Sequence, residues 1–472
     1  MNDGDSQTGL QSGHVISASR KPRRTWLRIL RNIMPVIVAM GTLLMGGVFM
    51  WHTAPGHIPD IWAHTYRISG ILNGDVLARP VESTSRLHHS TENVGGHVDW
   101  SWINYSHEQD DGYDPTVVQL DSITASDASG ADVPYNNTAT NSPVSYLPQL
   151  AGFAIGKAMG LPAGTTYYLT ETIMLVVYAC CTAIAVALLP KWRILVGVVM
   201  LCPLLLHRYS FAISADSMTQ ALTFLLSCML VRALFKRIGV GTYAAFAIVC
   251  LLLAMCKFIY TPLVLLTLLA PWIQRGMKVR ASSHGGRAER LASAWRAGIW
   301  ITALGNAAAF IWLAVWMKLT GWFVTTPMMV SHAQMAQRRQ ALFTDPGAVV
   351  ELMKMMALSI VTGRSNLDRT LDTWLIRCCW LAMAIMALAL IVATVRRTLN
   401  GYETAFWWCA SIVMVGIILL TYVALWLQYT PAGSAMIEGM QHRYFLPLIV
   451  LGVLCTAESL AGLRLSRDRV IV

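Results

Sequence analysis

Charge is scarce in this chain: Asp, Glu, Lys and Arg together make up 13% of its 472 residues, about half the share usual in soluble globular domains. With 55% hydrophobic residues and a mean hydropathy of +0.51, the composition is that of a polytopic membrane protein. Length is then no guide to a domain count. Acids are scarcer than bases, 25 against 36, for a net charge of +11. A basic excess can mark nucleic-acid binding, but the Lys and Arg fall in short segments between apolar runs, which is a signal of membrane orientation; no nucleic-acid partner is expected. Nowhere is there a CxxC pair, and residues 52–145 contain no cysteine, which excludes a disulfide framework there. The ten cysteines lie in or beside apolar runs. A Walker motif and a dinucleotide fingerprint are also missing, which argues against a cytosolic nucleotide as substrate.

What is present is a series of ten apolar runs, at 33–50, 166–189, 193–206, 211–235, 239–256, 258–273, 298–320, 374–395, 403–427 and 442–463. The expected fold is an all-α polytopic membrane protein with about ten transmembrane helices. The first run is longer than a signal-peptide core and no A-x-A-like site follows it, so it reads as a retained anchor. It is preceded by Arg20, Lys21, Arg23, Arg24, Arg28 and Arg31, which places the N-terminus in the cytoplasm. Residues 1–32 form a basic tail, 33–463 the transmembrane domain with an external loop at 51–145, and 464–472 a second basic tail.

The stretch 239–273 decides the topology. As one helix its 35 residues would reach about 52 Å, far beyond a hydrocarbon core of about 30 Å. A hairpin turning near CKFIYTP instead keeps Arg275, Lys278, Arg280, Arg287, Arg290 and Arg296 in the cytoplasm, together with both termini. The expected location is the plasma membrane, multi-pass, with an external active face.

Roughly half of the acids lie in the external loop. Its middle, 108–142, has the Asp, Ser, Thr, Asn and Gly content of a partly mobile segment. The run 146–160 is too short to span and reads as an interfacial helix. The trio Asp110, Asp111 and Asp114 offers oxygen ligands for a divalent cation, although a solvated face explains them as well; no cofactor is assigned.

Within 58–74, IPDIWAHTYRISGILNG, Asp60, His64 and Arg67 recur at spacings of four and three, which share one helical face. The topology gathers further ionisable residues on the same side: His207, Arg208 and Asp216, Lys257 with Tyr260, Asp372, and Glu438, Gln441, His442 and Arg443. Each taken alone reads equally as an interfacial anchor or a packing ion pair; convergence of the set points to a cavity.

These same residues carry a family likeness. The segment PDIWAHTYRISGILNGDVLARPV resembles the P-D-E-x-x-H-x-x-R-A-Y pattern of the bacterial domain of unknown function 2142 family, grouped with glycosyltransferases of the GT-C fold. Further matches are SYLPQLAGFAIGKAMGL, Ser214-Ala215-Asp216 leading into SMTQALTFLL, Lys257-x-x-Tyr260-x-Pro262, and EGMQHRYFLPL against E-G-x-Q-G-R-Y-F-L-P-L. The last is the most specific, and the likeness runs over about 34–460. Ile61 stands where the family usually has a second acid, Glu171 and Met174 where it has Arg and Asn, and His442 where Gly is common.

The resemblance implies transfer of a sugar from a polyprenyl-phosphate donor to a cell-envelope glycan or glycolipid on the outer face. Asp60 would be the base, with His64 and Arg67 orienting it or holding phosphate. Arg208, Lys257 and Arg443 would bind the lipid phosphate, with Asp216, Tyr260, Glu438, Gln441 and Tyr444 completing the substrate site. A transporter or flippase of lipid-linked saccharides, or a scaffold, are the other classes. No internal repeat of the transporter kind is visible.

Overall fold

The computed structural model describes residues 21–82, 93–277, 285–321, 330–363 and 370–470. The protein is a helical membrane protein. Among the described residues, eight helical segments are long and apolar enough to cross a bilayer: Trp26–His52, Ala163–Leu188, Ala215–Phe235, Phe258–Gly276, Ala294–Leu319, Leu371–Val395, Gly401–Gln428 and His442–Leu463. These correspond to eight of the ten expected runs.

In chain order the helices are α1 (Lys21–His52), α2 (Ile61–Leu72), α3 (Trp100–Glu108), α4 (Leu147–Met159), α5 (Ala163–Leu188), α6 (Arg193–Met200), α7 (Pro203–Tyr209), α8 (Ala215–Phe235) and α9 (Val240–Cys256). They continue with α10 (Leu269–Gly276), α11 (Gly285–Leu319), α12 (His332–Thr344), α13 (Pro346–Thr362), α14 (Thr370–Val395), α15 (Gly401–Gln428) and α16 (Ile449–Val470). The most buried is α8, which packs on α5 and α9, while α1 lies along α5, α11 along α9 and α14 along α16.

The two runs that are not full spans differ for local reasons. Run 193–206 is broken into α6 and α7 because Cys202, which precedes Pro203, is extended (φ −62°, ψ 127°); the proline ring crowds the helical conformation of the residue before it. Run 239–256 is α9, whose 17 residues are the lower limit for a span. It does turn back as expected. Lys257 is extended (φ −119°, ψ 113°), a 3-10 stretch Phe258–Leu268 follows, and Cys250 Sγ lies 3.9 Å from Thr267 Oγ1. One continuous helix would hold those residues about 25 Å apart. A 3-10 helix rises about 2 Å per residue, so Phe258–Leu268 with α10 reaches about 34 Å in 19 residues.

The loop after α1 is more ordered than its composition suggests. Strands β1 (Arg79–Pro80), β2 (Val94–Asp99) and β3 (Gly130–Pro134) form an antiparallel sheet in the order β1-β2-β3, with His97 opposite Asp132 and Val98 opposite Ala131. The sheet and α3 enclose α2, and Trp62, Tyr66, Ile68, Val98, Ile103, Val133 and Tyr135 form a second apolar core outside the bundle. The 13-residue α4 packs through Gly152 and Gly156 against Thr170 and Thr166 of α5; a Cβ at either glycine would lie within 2.5 Å of those threonines. Small residues four apart allow that close approach.

Candidate functional site

Helix α2 begins without its own cap. Asp60 occupies the N-cap position in the left-handed region (φ 63°, ψ 15°), and its side chain makes no cap bond. An N-cap Asp normally accepts from the helix's first amides. Here Asp114 Oδ2 accepts from Trp62 N at 3.2 Å and Thr116 Oγ1 from Ala63 N at 3.1 Å, both supplied from the loop. Asp60 is thereby released. Its Oδ1 accepts from Asn137 Nδ2 at 3.0 Å and its Oδ2 from Arg443 Nη2 at 3.0 Å. A non-glycine residue in this conformation is held there by its surroundings, and such strain collects at functional sites.

Arg443 also lies 3.7 Å, Nη1 to Oδ2, from Asp216, and Asp216 Oδ1 is in direct contact with Lys257 Nζ. Each of these residues is placed at a helix end or in the turn leading into one. Asp216 is in the first turn of α8, whose N-cap Ser214 accepts from Asp216 N at 3.2 Å. Lys257 closes α9, where Ser142 Oγ donates to Met255 O (2.7 Å) and Ser145 Oγ to Cys256 O (3.2 Å), satisfying carbonyls that a helix end leaves open. Arg443 is in the 3-10 turn His442–Tyr444 before α16. The starts of α2 and α8, the end of α9 and the turn before α16 thus meet at one end of the bundle.

Tyr260 donates to Tyr444 O at 3.0 Å and so ties the turn after Lys257 to the one carrying Arg443, whose guanidinium lies 5.6 Å from the Tyr444 ring centroid. Glu438 accepts from Ser434 Oγ at 2.7 Å. Tyr429 stands between these groups, its phenol raised by burial and by the charges of Asp60 and Glu438. Gly439 is left-handed (φ 83°), and a Cβ there would fall 2.6 Å from the Tyr429 ring. Gln441 is partly buried beside them.

His64 is close by, yet its two nitrogens are engaged elsewhere. Asn141 donates to the Tyr146 oxygen at 2.9 Å, which leaves the phenol proton for His64 Nδ1 at 2.6 Å and the ring proton on Nε2, 3.2 Å from Ser214 Oγ. Burial pulls its pKa down to about 4 against the opposing pull of Asp60 and Asp216, with Lys257 and Arg443 adding to the fall, so the ring is neutral at neutral pH.

Arg67 is placed differently from the expectation that it orients Asp60 or holds phosphate. Fully buried, it donates to the carbonyls of Asp75 (2.8 Å), Val76 (2.7 Å) and Asn141 (3.1 Å) and lies over the Tyr135 ring. The shared helical face fails because Asp60 is not helical. Arg208 is partly buried on α7, where its charge acts on His207 and Tyr209. The aspartate trio does not converge: Asp110 and Asp111 close local turns onto Gly112 and Tyr113, while Asp114 faces inward with its pKa raised to about 6 by burial and by Asp60. Among the described residues no set of three His, Cys, Asp or Glu side chains is arranged to hold a metal.

Residues not named as site candidates from the sequence complete the site: Asn137 and Asn141 from the loop, Tyr146 before α4, and Tyr429 after α15. Tyr146 falls within the SYLPQLAGFAIGKAMGL match, whereas no local signal marks the other three, because each enters through tertiary packing. A separate half-open cleft of about 70 Å³ lies at the far end of α2, lined by Ser69, Asp99, Trp102, Phe153 and Lys157, where Lys157 bridges Asn73 (2.8 Å) and Asp99 (3.1 Å).

The profile of the family described as "Predicted membrane protein (DUF2142)" matches residues 43–452. The chain belongs to that family. The matched region runs from within α1 to the start of α16 and includes every residue of the cluster, so Asp60, Asp216, Lys257 and Arg443 are all part of the family domain. No curated protein and no solved structure matches the chain.

Proposed function

We propose that this family member is a membrane glycosyltransferase that moves a sugar from a polyprenyl-phosphate carrier to a cell-envelope acceptor on the outer face of the plasma membrane. The observation that carries the reading is the meeting of Asp60, Arg443, Asp216 and Lys257, contributed by four separate helix ends and turns. Two cations and two carboxylates balance one another at rest, with His64 neutral beside them. A lipid phosphate arriving at Arg443 and Lys257 takes over their charge, through a fork at the guanidinium and a point contact at the ammonium. Asp60 is then freed from Arg443 and accepts the proton of the acceptor hydroxyl. Its restrained backbone keeps the carboxylate at the site when the ion pair opens.

The bond to the donor breaks at the anomeric carbon with the electron pair leaving on phosphate oxygen, and the two cations stabilise that charge. No nucleotide is needed. The test uses the full chain in nanodiscs, a panel of polyprenyl-phosphate sugars and an envelope glycolipid extract. Release of free polyprenyl phosphate with sugar appearing on the acceptor is expected. Movement of intact lipid-linked saccharide across a vesicle membrane, without sugar transfer, would replace the transferase by a flippase.

A further inference from the structure

A second charged pair begins one residue from Arg443 and is not used above. His442 Nδ1 and Asp372 Oδ1 are in direct contact, and the same oxygen accepts from the His442 backbone N–H at 3.1 Å. Two bonds to one carboxylate oxygen set both the position and the plane of the ring, and leave Nε2 as its second proton site. The side chains are 18% and 10% exposed, so the pair is withdrawn but reachable. Tyr209 of α7 meets the His442 ring edge-on at 6.3 Å, and its phenol lies in the fields of Arg443, Asp216, Arg208 and Asp372. The two charged pairs are therefore neighbours across Tyr209. Arg377, the next cation along α14, is turned away to Thr362 O.

We infer that His442, oriented by Asp372, is the general acid of the sugar transfer, giving its Nε2 proton to the departing lipid-phosphate oxygen. The inference rests on the transferase reading. In the step, the acceptor oxygen bonds to the anomeric carbon and its proton passes to Asp60. The bond from that carbon to the phosphate oxygen breaks, both electrons stay on the oxygen, and the His442 proton joins it. Asp60 ends protonated and His442 neutral, and one proton returned through water restores both.

The chemistry suits the leaving group, because a departing phosphate monoester dianion takes up one proton near pH 6 and an imidazole nitrogen can carry the proton it needs. Asp372 is a positioning residue, since it acts through the ring.

Two measurements separate this from a pair that merely pins α14 to the 442–444 turn. The first needs no substrate: carbethoxylation of His442 by excess diethyl pyrocarbonate near neutral pH, followed by peptide mass spectrometry in nanodiscs. Asp372 occupies Nδ1 and leaves Nε2 to react, so the wild type should take one adduct at His442 and Asp372→Ala a second. No adduct in the wild type, or two adducts there, overturns the inference. The second is transfer kinetics. Gln keeps a hydrogen-bond donor but has no transferable proton, so His442→Gln should lower kcat by about 100-fold or more, flatten the alkaline limb of the pH profile and leave KM and melting temperature nearly unchanged. Wild-type kcat and pH profile in that variant overturn the inference, whereas absence of transfer by the wild type overturns the transferase reading and leaves the carbethoxylation result to report on the pair itself.

Discussion

The Asp60 carboxylate lies 3.0 Å from the Arg443 guanidinium although 383 residues separate them in the chain. That single contact joins the loop after the first span to the turn before the last, and Asp216 and Lys257 extend it into the middle of the bundle. Whatever disturbs one member reaches the others.

Asp60→Asn removes a proton acceptor, keeps the volume and tolerates the left-handed backbone. Transfer should fall about 100- to 10,000-fold with melting temperature little changed. Asp60→Gly relieves the backbone strain, of order 1 kcal/mol, so it should be at least as stable as Asp60→Asn and equally inactive. Retention of activity in either variant moves the base elsewhere.

Arg443→Ala leaves Asp60 and Asp216 without their shared cation. Because Asp60 is 30% exposed, the expected cost is about 1–3 kcal/mol, below the ~3–5 kcal/mol of a fully buried broken pair. Adding Asp60→Asn should recover part of it, so the double variant melts higher than the sum of the two single losses. Arg443→Lys keeps charge without the fork and should still bind a polyprenyl-phosphate sugar more weakly, read as lost ligand protection against heat. Equal protection in wild type and Arg443→Ala would make Arg443 an interfacial anchor.

Asp114 caps α2 from outside the helix. Asp114→Ala should destabilise by about 1–2 kcal/mol and also depress transfer, because the start of α2 is what presents Asp60. Normal activity with lowered stability would uncouple the cap from the site.

His64 and Asp114 give stability a two-sided pH dependence. The His64 pKa is lowered from 6.5 to about 4, so on acidification the unfolded chain binds a proton that the fold refuses. Stability is therefore lost as pH falls from 6.5 through about 4, in total about 3 kcal/mol at ~1.4 kcal/mol per unit. Asp114, raised from 3.8 to about 6, takes up its proton first in the folded state and opposes the loss between those values. Melting temperature followed from pH 7.5 to 4 should fall less steeply in His64→Gln than in wild type, and identical slopes would show that His64 is not buried neutral.

Sidedness is accessible to labelling. In a variant lacking the ten native cysteines, Asp110→Cys and Ala435→Cys should react with an impermeant thiol reagent in intact cells and Arg396→Cys should not. The reverse pattern would put the charged cluster in the cytoplasm.

The membrane-spanning elements were legible because a span needs only a local run of apolar residues, and the 239–273 turn because no bilayer accommodates 35 residues of straight helix. Family motifs singled out Asp60, Asp216, Lys257 and Arg443 one by one. Their mutual contacts were not legible, and neither was the role of Arg67, whose helical spacing paired it with an Asp60 that turns out not to be helical. The small sheet was hidden because strands of two, six and five residues carry too short an alternation to register. Composition and spacing by themselves therefore determined the protein's class, the positions of most spans and the candidate residues, since these follow from local hydrophobicity and local pattern. Only the tertiary structure decided which charges neutralise which, because that depends on which helix ends meet, and helix ends distant in sequence are brought together by packing alone.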